Sequence, residues 1–337
     1  MTTNITMHDI AERAGVSVTT VSHVINQTRP VSEKLRLAVN GAMEEMGYQP
    51  NLLARSLRRG RTQTIGMVVP DSSNPYFAEI AHAVEAATFA QGYSVILCNT
   101  QMDVAREEFY ANVLLEKRVD GIIFMAAGDS AQQIRALQQR RQPIVLVDRD
   151  VQGVAADAVT TDNTRGARQA TEHLLALGHR RIACIGGPSD VTPSSRRISG
   201  YAVALEAAGL PLDAALIVRG DFQFESGLRL AEQLLDLPEP PTAIFASNDL
   251  MAVGVIHAAQ RRQRRVPEDV SVVGFDDIRL AAYINPALTT VAQPKERLGQ
   301  TATRLLLERI DNPDLPPRVV TLETELVVRQ STAHVRA

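Results

Sequence analysis

From residue 64 onward the chain alternates short, almost wholly apolar runs with longer amphipathic stretches. The runs fall at 65–69, 95–98, 122–125, 144–147, 182–185, 216–218, 243–246 and 270–275. A strand with one wet face alternates apolar and polar side chains. A strand apolar at nearly every position is covered on both faces, as in a parallel sheet flanked by helices. Helical stretches lie between the runs, at 76–91, 164–177 and 250–262 among others. The pattern predicts a doubly wound α/β fold. Eight such units exceed one compact sheet with short connections, so two lobes are expected. A closed (β/α)8 barrel is the competitor. The barrel leaves no place for the strand-like tail 318–330, or for 288–293, a strand with no helix before it. A chain that crosses between two lobes accounts for both. The expected division is 63–160 with 293–320 in the first lobe and 161–292 with 321–331 in the second, within one body over 63–337.

Residues 1–62 have another character. Residues 5–26 read as two short helices broken at Gly15. Thr6 is a candidate N-cap with Asp9 three residues on, and Gly15-Val16-Ser17 supplies a tight turn and the next cap. In the second helix Val21, Val24 and Ile25 face a core, which puts Thr19, Ser22, His23 and Asn26 on the opposite face. That face is polar, short-chained and free of acid, which suits a major groove. A third helix is expected from Ser32 to Gly47, with Leu35, Ala38, Val39, Ala42, Met43 and Met46 inward. The result is a minimal all-α domain over 1–49 with a thin core. The segment 50–62 then carries Arg55, Arg58, Arg59 and Arg61 and is too short to be a stable isolated helix. It reads as a charged linker or as a hinge that folds only when two copies meet on DNA. The net charge of −3 hides an asymmetry: eight Lys/Arg against five Asp/Glu in 1–62, and 27 against 33 in the remainder. A basic head on an acidic body fits a DNA reader.

The run from Ala11 to Asn26 resembles the helix-turn-helix of the lactose-repressor (LacI) family of bacterial transcription regulators. Thr20-Val21-Ser22-His23-Val24-Ile25-Asn26 is close to its ribose- and purine-responsive branches, and the resemblance continues through nearly the whole chain. It implies a DNA-binding surface of Thr6, Ser17, Val18, Thr19, Thr20, Ser22, His23 and Asn26, with Arg29 in the next loop either reaching DNA or solvated. It implies a hinge helix over 50–62, in which Leu57 matches a minor-groove wedge and Asn51, Arg55 and Arg58 lie beside it. It also implies a two-lobed, periplasmic-binding-protein-like body.

In open α/β sheets ligands bind beyond the carboxyl ends of strands. The residues there include Asn74-Pro75-Tyr76-Phe77, Asp148-Arg149, Arg196-Arg197, Asp221-Phe222, Asn248-Asp249, Asp276-Asp277 and Gln293. Carboxylates and amides accept from hydroxyls, guanidinium groups donate, and aromatic faces cover C–H surface, so the inventory suits a polyol. Taken singly, Asn74 and Asn248 read equally well as helix caps, Asp148-Arg149 as an exposed ion pair and Phe222 as core. The resemblance to ribose-binding members implies an effector site of Asn74, Tyr76, Phe77, Asp148, Arg149, Arg197, Phe222, Asn248, Asp276 and Gln293. Tyr76 stands where Phe is usual. Purine-binding members lack the Asp148-Arg149 pair.

Other features read as structural. Arg261-Arg262-Gln263-Arg264-Arg265 ends a helix, where cations complement the dipole. His179 and His257 stand alone. Cys98 and Cys184 sit in apolar runs as two reduced thiols with no metal-ligand spacing. No cofactor is expected. No run approaches membrane-spanning length and no leader is recognised, so a cytoplasmic protein is expected. The expected function is a dimeric repressor that reads pseudopalindromic operator DNA and responds to a small sugar, most of all ribose or another pentose acting as inducer. A hexose or a nucleoside or purine effector is the alternative within the same fold. An enzyme would lack a phosphate loop or dinucleotide fingerprint and leave the head unexplained. A transport-binding protein would need the missing leader.

Overall fold

The computed structural model describes residues 5–26, 29–48, 60–125, 131–148, 151, 153–189 and 191–336. Asn51, Arg55, Leu57, Arg58 and Arg149 lie outside them, as does most of the expected hinge. The chain divides into two units, Met1–Thr62 and Gln63–Ala337.

The first unit is three helices: α1 (Met7–Ala14), α2 (Val18–Asn26) and α3 (Glu33–Glu45). Asp9 accepts from the Thr6 N–H at 2.7 Å, and the Thr6 hydroxyl accepts from the Asp9 N–H at 3.4 Å, which closes a capping box. Gly15 ends α1 at φ 65, a left-handed conformation that costs a side-chain-bearing residue energy. The Ser17 hydroxyl caps α2 by accepting from the Thr20 N–H at 3.1 Å. Ile10, Ala11, Val21, Val39 and Ala42 are the buried core, with Val24, Ile25, Met43 and Met46 partly buried against them. Leu35 and Ala38, expected inward, are exposed. Three short helices make no second layer to cover the first turn of α3.

The second unit holds two six-stranded sheets, which excludes the barrel. One runs β11-β5-β4-β3-β1-β2, all parallel. Its strands are β1 (Thr64–Val69), β2 (Ser94–Asn99), β3 (Gly121–Phe124), β4 (Ile144–Val147), β5 (Asp157–Thr161) and β11 (Val319–Leu322). The other runs β12-β10-β9-β8-β6-β7 and is parallel except for β12. It contains β6 (Ile182–Gly186), β7 (Ile217–Arg219), β8 (Ala243–Ala246), β9 (Ser271–Asp276), β10 (Thr289–Ala292) and β12 (Glu325–Val327). The chain passes between the sheets three times: after Thr161, after Ala292 and after Leu322. The last crossing, expected near 320, comes later because β11 runs on to Leu322.

One strand had no apolar run to announce it. In β5, Asp-Ala-Val-Thr-Thr, every residue is buried. Asp157 is 1 % exposed because Arg309 holds its carboxylate at 3.0 Å and the Arg318 N–H donates to it at 2.8 Å. A buried charge survives only when paired and hydrogen-bonded in this way.

Helices α4 (Pro75–Phe89), α5 (Val104–Glu116), α6 (Ala131–Gln139) and α11 (Lys295–Asp311) belong with the first sheet. Helices α7 (Asn163–Ala176), α8 (Thr192–Ala207), α9 (Phe224–Leu235) and α10 (Asp249–Arg261) belong with the second. Glycines let helices approach backbone to backbone. A Cβ on Gly200 would stand 2.2 Å from the Thr164 carbonyl, one on Gly227 2.4 Å from the Met251 carbonyl, and one on Gly254 2.4 Å from the Phe224 carbonyl. The Arg261–Arg265 run ends α10 as surface: Arg262 pairs with Glu232 and Asp236, and Arg265 with Asp269. Among the described residues no helix is long and apolar enough to cross a membrane, and no group of three His, Cys, Asp or Glu could hold a metal.

Candidate functional site

Each unit presents a candidate surface. In the head, Thr6, Ser17, Val18, Thr19 and Arg29 are exposed, while Thr20, Ser22 and His23 are half-buried. The Ser17 and Thr20 hydroxyls lie 2.9 Å apart. Asn26 departs from expectation. It is 7 % exposed, and its amide donates to the Ser22 carbonyl at 2.8 Å. As the last residue of α2 it folds back along the helix rather than projecting from the polar face.

In the body, the carboxyl ends of both sheets face a common region, where the crossing segments also lie. Asn74 caps α4, its side-chain oxygen accepting from the Tyr76 N–H at 3.0 Å. The cap aims Tyr76 inward, and Phe77 meets the Tyr76 ring edge-on at 5.2 Å. The Tyr76 hydroxyl donates to Asp148 Oδ1 at 2.6 Å and lies 3.1 Å from Gln293 Oε1. That oxygen also accepts from the Thr161 hydroxyl at 2.5 Å. Gln293 Nε2 donates to Asp276 Oδ1 at 2.8 Å. Arg197, on α8, completes the chain with Nη1 3.4 Å from the same carboxylate. Arg197 Nε donates to Asn163 Oδ1 at 2.7 Å, Nη1 to the Ser247 carbonyl at 2.5 Å, and the guanidinium lies 3.9 Å over the Phe275 ring. Tyr76, Asp148, Arg197, Asp276 and Gln293, drawn from five separate places in the chain, thus form one buried network.

Asn248 and Phe222 stand beside it. Asn248 does cap its helix, accepting from the Met251 N–H at 3.0 Å, but its amide also donates to the Phe222 carbonyl at 2.9 Å. The Phe222 ring covers Gly187 so closely that a Cβ there would come within 2.1 Å of it. Asp148, Phe222 and Asp276 all have left-handed backbone, at φ 72, 67 and 111. Such conformations cost of order 1–3 kcal/mol each in non-glycine residues and gather where a side chain must be aimed.

The electrostatics follow from crowding. Burial pushes the Asp276 carboxyl up to about 6, against the opposing pull of Arg197, with Asp148 adding to the rise. Burial and then the two carboxylates raise the Tyr76 phenol well above its usual range, so it stays a donor. Asp249, wholly buried behind the site, is also pushed well up by burial and by Asp276. It accepts from the Thr290 hydroxyl and the Ile278 N–H. Among the described residues the site is therefore rich in acceptors, with the Arg197 guanidinium to balance them. Sequence reading did not single out Thr161, Asn163, Ser247 or Lys295. Thr161 ends β5, the strand without an apolar run, and Asn163 follows it, so nothing marked them as a strand end.

Residues 6–51 match the bacterial regulatory proteins of the lacI family, and residues 171–332 match the periplasmic binding protein-like domain. The ribose operon repressor of Escherichia coli (strain K12) is 42% identical over 97% of this chain and 99% of its own. The HTH-type transcriptional repressor PurR of Vibrio atlanticus (strain LGP32) is 42% identical over 97% of this chain and 98% of its own. A lac repressor dimer, solved bound to operator and the anti-inducer ONPF, is 31% identical with a TM-score of 0.88, covering 98% of this chain and 100% of that one. With a helix-turn-helix head, a two-sheet body and relatives matched end to end, the chain belongs to the lacI family of bacterial regulatory proteins, as a transcriptional repressor and not an enzyme.

Proposed function

We propose that the effector is a pentose, ribose first among them, bound by the buried network and acting as inducer. Whole-chain identity is equal for the relatives named ribose operon repressor and PurR, so it does not choose between their ligands. The observation that carries the choice is that Asp148 and Asp276, both under 10 % exposed, are joined through Tyr76 and Gln293 in one network, with Arg197 against Asp276. Two carboxylates accept hydroxyl protons from a neutral polyol, and the guanidinium donates to its oxygens. Asn74, Tyr76, Phe77, Arg149, Phe222, Asn248 and Gln293 complete the effector set. The PurR relative supports a second reading, a purine effector. Thermal unfolding with ribose, other pentoses, hexoses, hypoxanthine and guanine separates the two. A bound ligand stabilises by mass action, about 2.7 kcal/mol at a hundred times its Kd. Stabilisation by the purines alone would reject the pentose.

In this reading two heads meet a pseudopalindrome, and two bodies pair. The apolar edge of the first sheet supports a second copy: Ile96 and Leu97 on β2 are exposed, as is Phe89 at the end of α4. Asn51, Arg55, Leu57 and Arg58 form the hinge on the strength of family resemblance, Leu57 as the wedge. Thr6, Ser17, Val18, Thr19, Thr20, Ser22, His23 and Arg29 contact operator. Asn26, turned onto Ser22, supports the helix instead. His23→Ala is expected to relax preference at particular operator positions, at ~1–3 kcal/mol per lost base contact. Selection from randomised operators measures it, and an unchanged preference would show that α2 docks differently.

A further inference from the structure

We propose that Lys295 is a positioning residue for the effector site, holding the backbone turn that presents Asp276 and tying it to the other lobe through Glu79. The proposal rests on the reading of Asp276 as an effector ligand. Lys295 opens α11, two residues after Gln293. Its ammonium donates to the carbonyls of Asp276 at 2.8 Å and Asp277 at 2.5 Å, and pairs with Glu79 at 3.2 Å. An ammonium has three N–H groups, and here all three have acceptors. The side chain is only 11 % exposed, so this is a seated charge and not a surface pair.

The two residues it grips have left-handed backbone, at φ 111 and 51. Nothing in an aspartate favours that conformation strongly enough to hold it unaided. Gln293 holds the Asp276 carboxylate and Lys295 holds its carbonyl, so one crossing segment fixes the residue at both ends. Glu79 brings in the first lobe. It lies on α4, the helix whose first turn carries Tyr76 and Phe77, and its other oxygen accepts from the Arg279 N–H at 3.0 Å. Arg329 steadies Asp277 at 2.6 Å. Among the described residues, the charged and titratable groups facing Asp276 are Arg197, Asp148, Asp249, Lys295 and the Tyr76 phenol. His82, Arg279, Glu296 and Arg297 line the depression outside Lys295 and Glu79.

The test is the pH profile of sugar affinity, with the Asp276 carboxyl followed by 13C NMR in sugar-free protein and assigned with Asp276→Asn. Lys295→Met is expected to weaken ribose binding at least about tenfold at pH 7.5. It should also move the Asp276 titration upward by roughly half a unit or more, because a neighbouring positive charge is gone. A residue that only supported the fold would lower affinity evenly across pH and leave the titration in place. Lys295→Arg keeps the charge but not the compact three-way donor, so it should weaken ribose without moving the titration much. Glu79→Gln leaves the ammonium seated and removes a negative charge. It should weaken ribose binding about threefold, less than either Lys295 variant, and move the titration slightly down. If no pentose or hexose binds the wild type while Lys295→Met shifts the Asp276 titration, the effector class fails and the positioning role stands. If the titration is unmoved in Lys295→Met, or ribose affinity is unchanged in both Lys295 variants, the role is overturned. Should Lys295→Met not fold, Lys295→Arg and Glu79→Gln still decide it.

Discussion

Asp276→Ala is expected to abolish the sugar response while operator binding without sugar persists. Its carboxylate is the point where Gln293 and Arg197 converge. Each hydrogen bond to a charged group is worth ~1.5–3 kcal/mol, so losing two sugar contacts removes a hundredfold or more of affinity. The operator response itself is a coupling of roughly 1–3 kcal/mol, which disappears with the ligand. Operator titrations with and without ribose measure both, and a full response from the variant would put the site elsewhere. The same residue predicts a pH effect of opposite sense on binding and on stability. Its folded pKa, about 6, lies above the usual 3.8, so the folded protein holds the proton more tightly. Its contribution to stability is therefore complete below pH 3.8 and lost as pH rises through 6. The loss is ~3 kcal/mol, from 1.36 kcal/mol per unit. Wild type should lose that much relative to Asp276→Asn between about pH 4 and pH 7 in urea titrations of the sugar-free protein. Sugar affinity should run the other way, falling below about pH 6 as the acceptor takes up its proton. A stability difference flat with pH would mean that the carboxylate is better solvated than its burial implies.

Gly254→Val should strongly destabilise the second lobe. A Cβ at Gly254 would sit 2.4 Å from the Phe224 carbonyl and 2.6 Å from the Leu228 nitrogen, both backbone atoms of α9. Gly227 on α9 makes the reciprocal approach to Met251 on α10. Neither helix can yield by rotating a side chain, so the pair must separate and uncover Leu230, Leu234 and Val255. Overpacking costs ~1–3 kcal/mol where side chains can adjust, and more is expected here, against a total stability of only ~5–15 kcal/mol. Gly66→Ala is the contrast. There the obstruction is the Leu114 side chain, which can turn, and about 1 kcal/mol is expected. Urea midpoints of the two variants, with m-values checked for constancy, measure the difference. Equal, small losses would show that α9 and α10 are not held at the separation described.

The fold was legible where burial acts on both faces of a strand, because such strands must be apolar throughout. It was not legible at β5, where Asp157 is neutralised by Arg309 and Arg318 from a distant stretch of chain. No local pattern announces a partner 152 residues away. The site shows the same division. Asp148, Arg197, Asp276 and Gln293 were visible as polar residues after apolar runs. Lys295 was not, since at the start of an amphipathic helix a lysine reads as solvated surface. Its role depends on the backbone of Asp276 and Asp277, which spacing does not reveal. In the head, Asn26 shows the limit of helical periodicity. The angle of 100° per residue places its Cα on the polar face, but a short amide at a helix end is free to bond backward.

The three crossings between the sheets also bear on how the protein is made. β11 completes the first sheet beside β5, and β12 completes the second beside β10. A ribosome therefore cannot release a finished first lobe and then begin the second. Both wait for 319–327, which are made well after the other described strands, while the head, a contiguous unit, can fold as soon as it emerges. During that interval the partner edge of β5 is bare, and long-range pairing of this kind is slow to form. Nascent chains halted before residue 319 should present a protease-resistant head and a body still open to cleavage and to chaperones. The network of Tyr76, Asp148, Arg197, Asp276 and Gln293 then forms after the head, because the sheets that position it close only with β11 and β12.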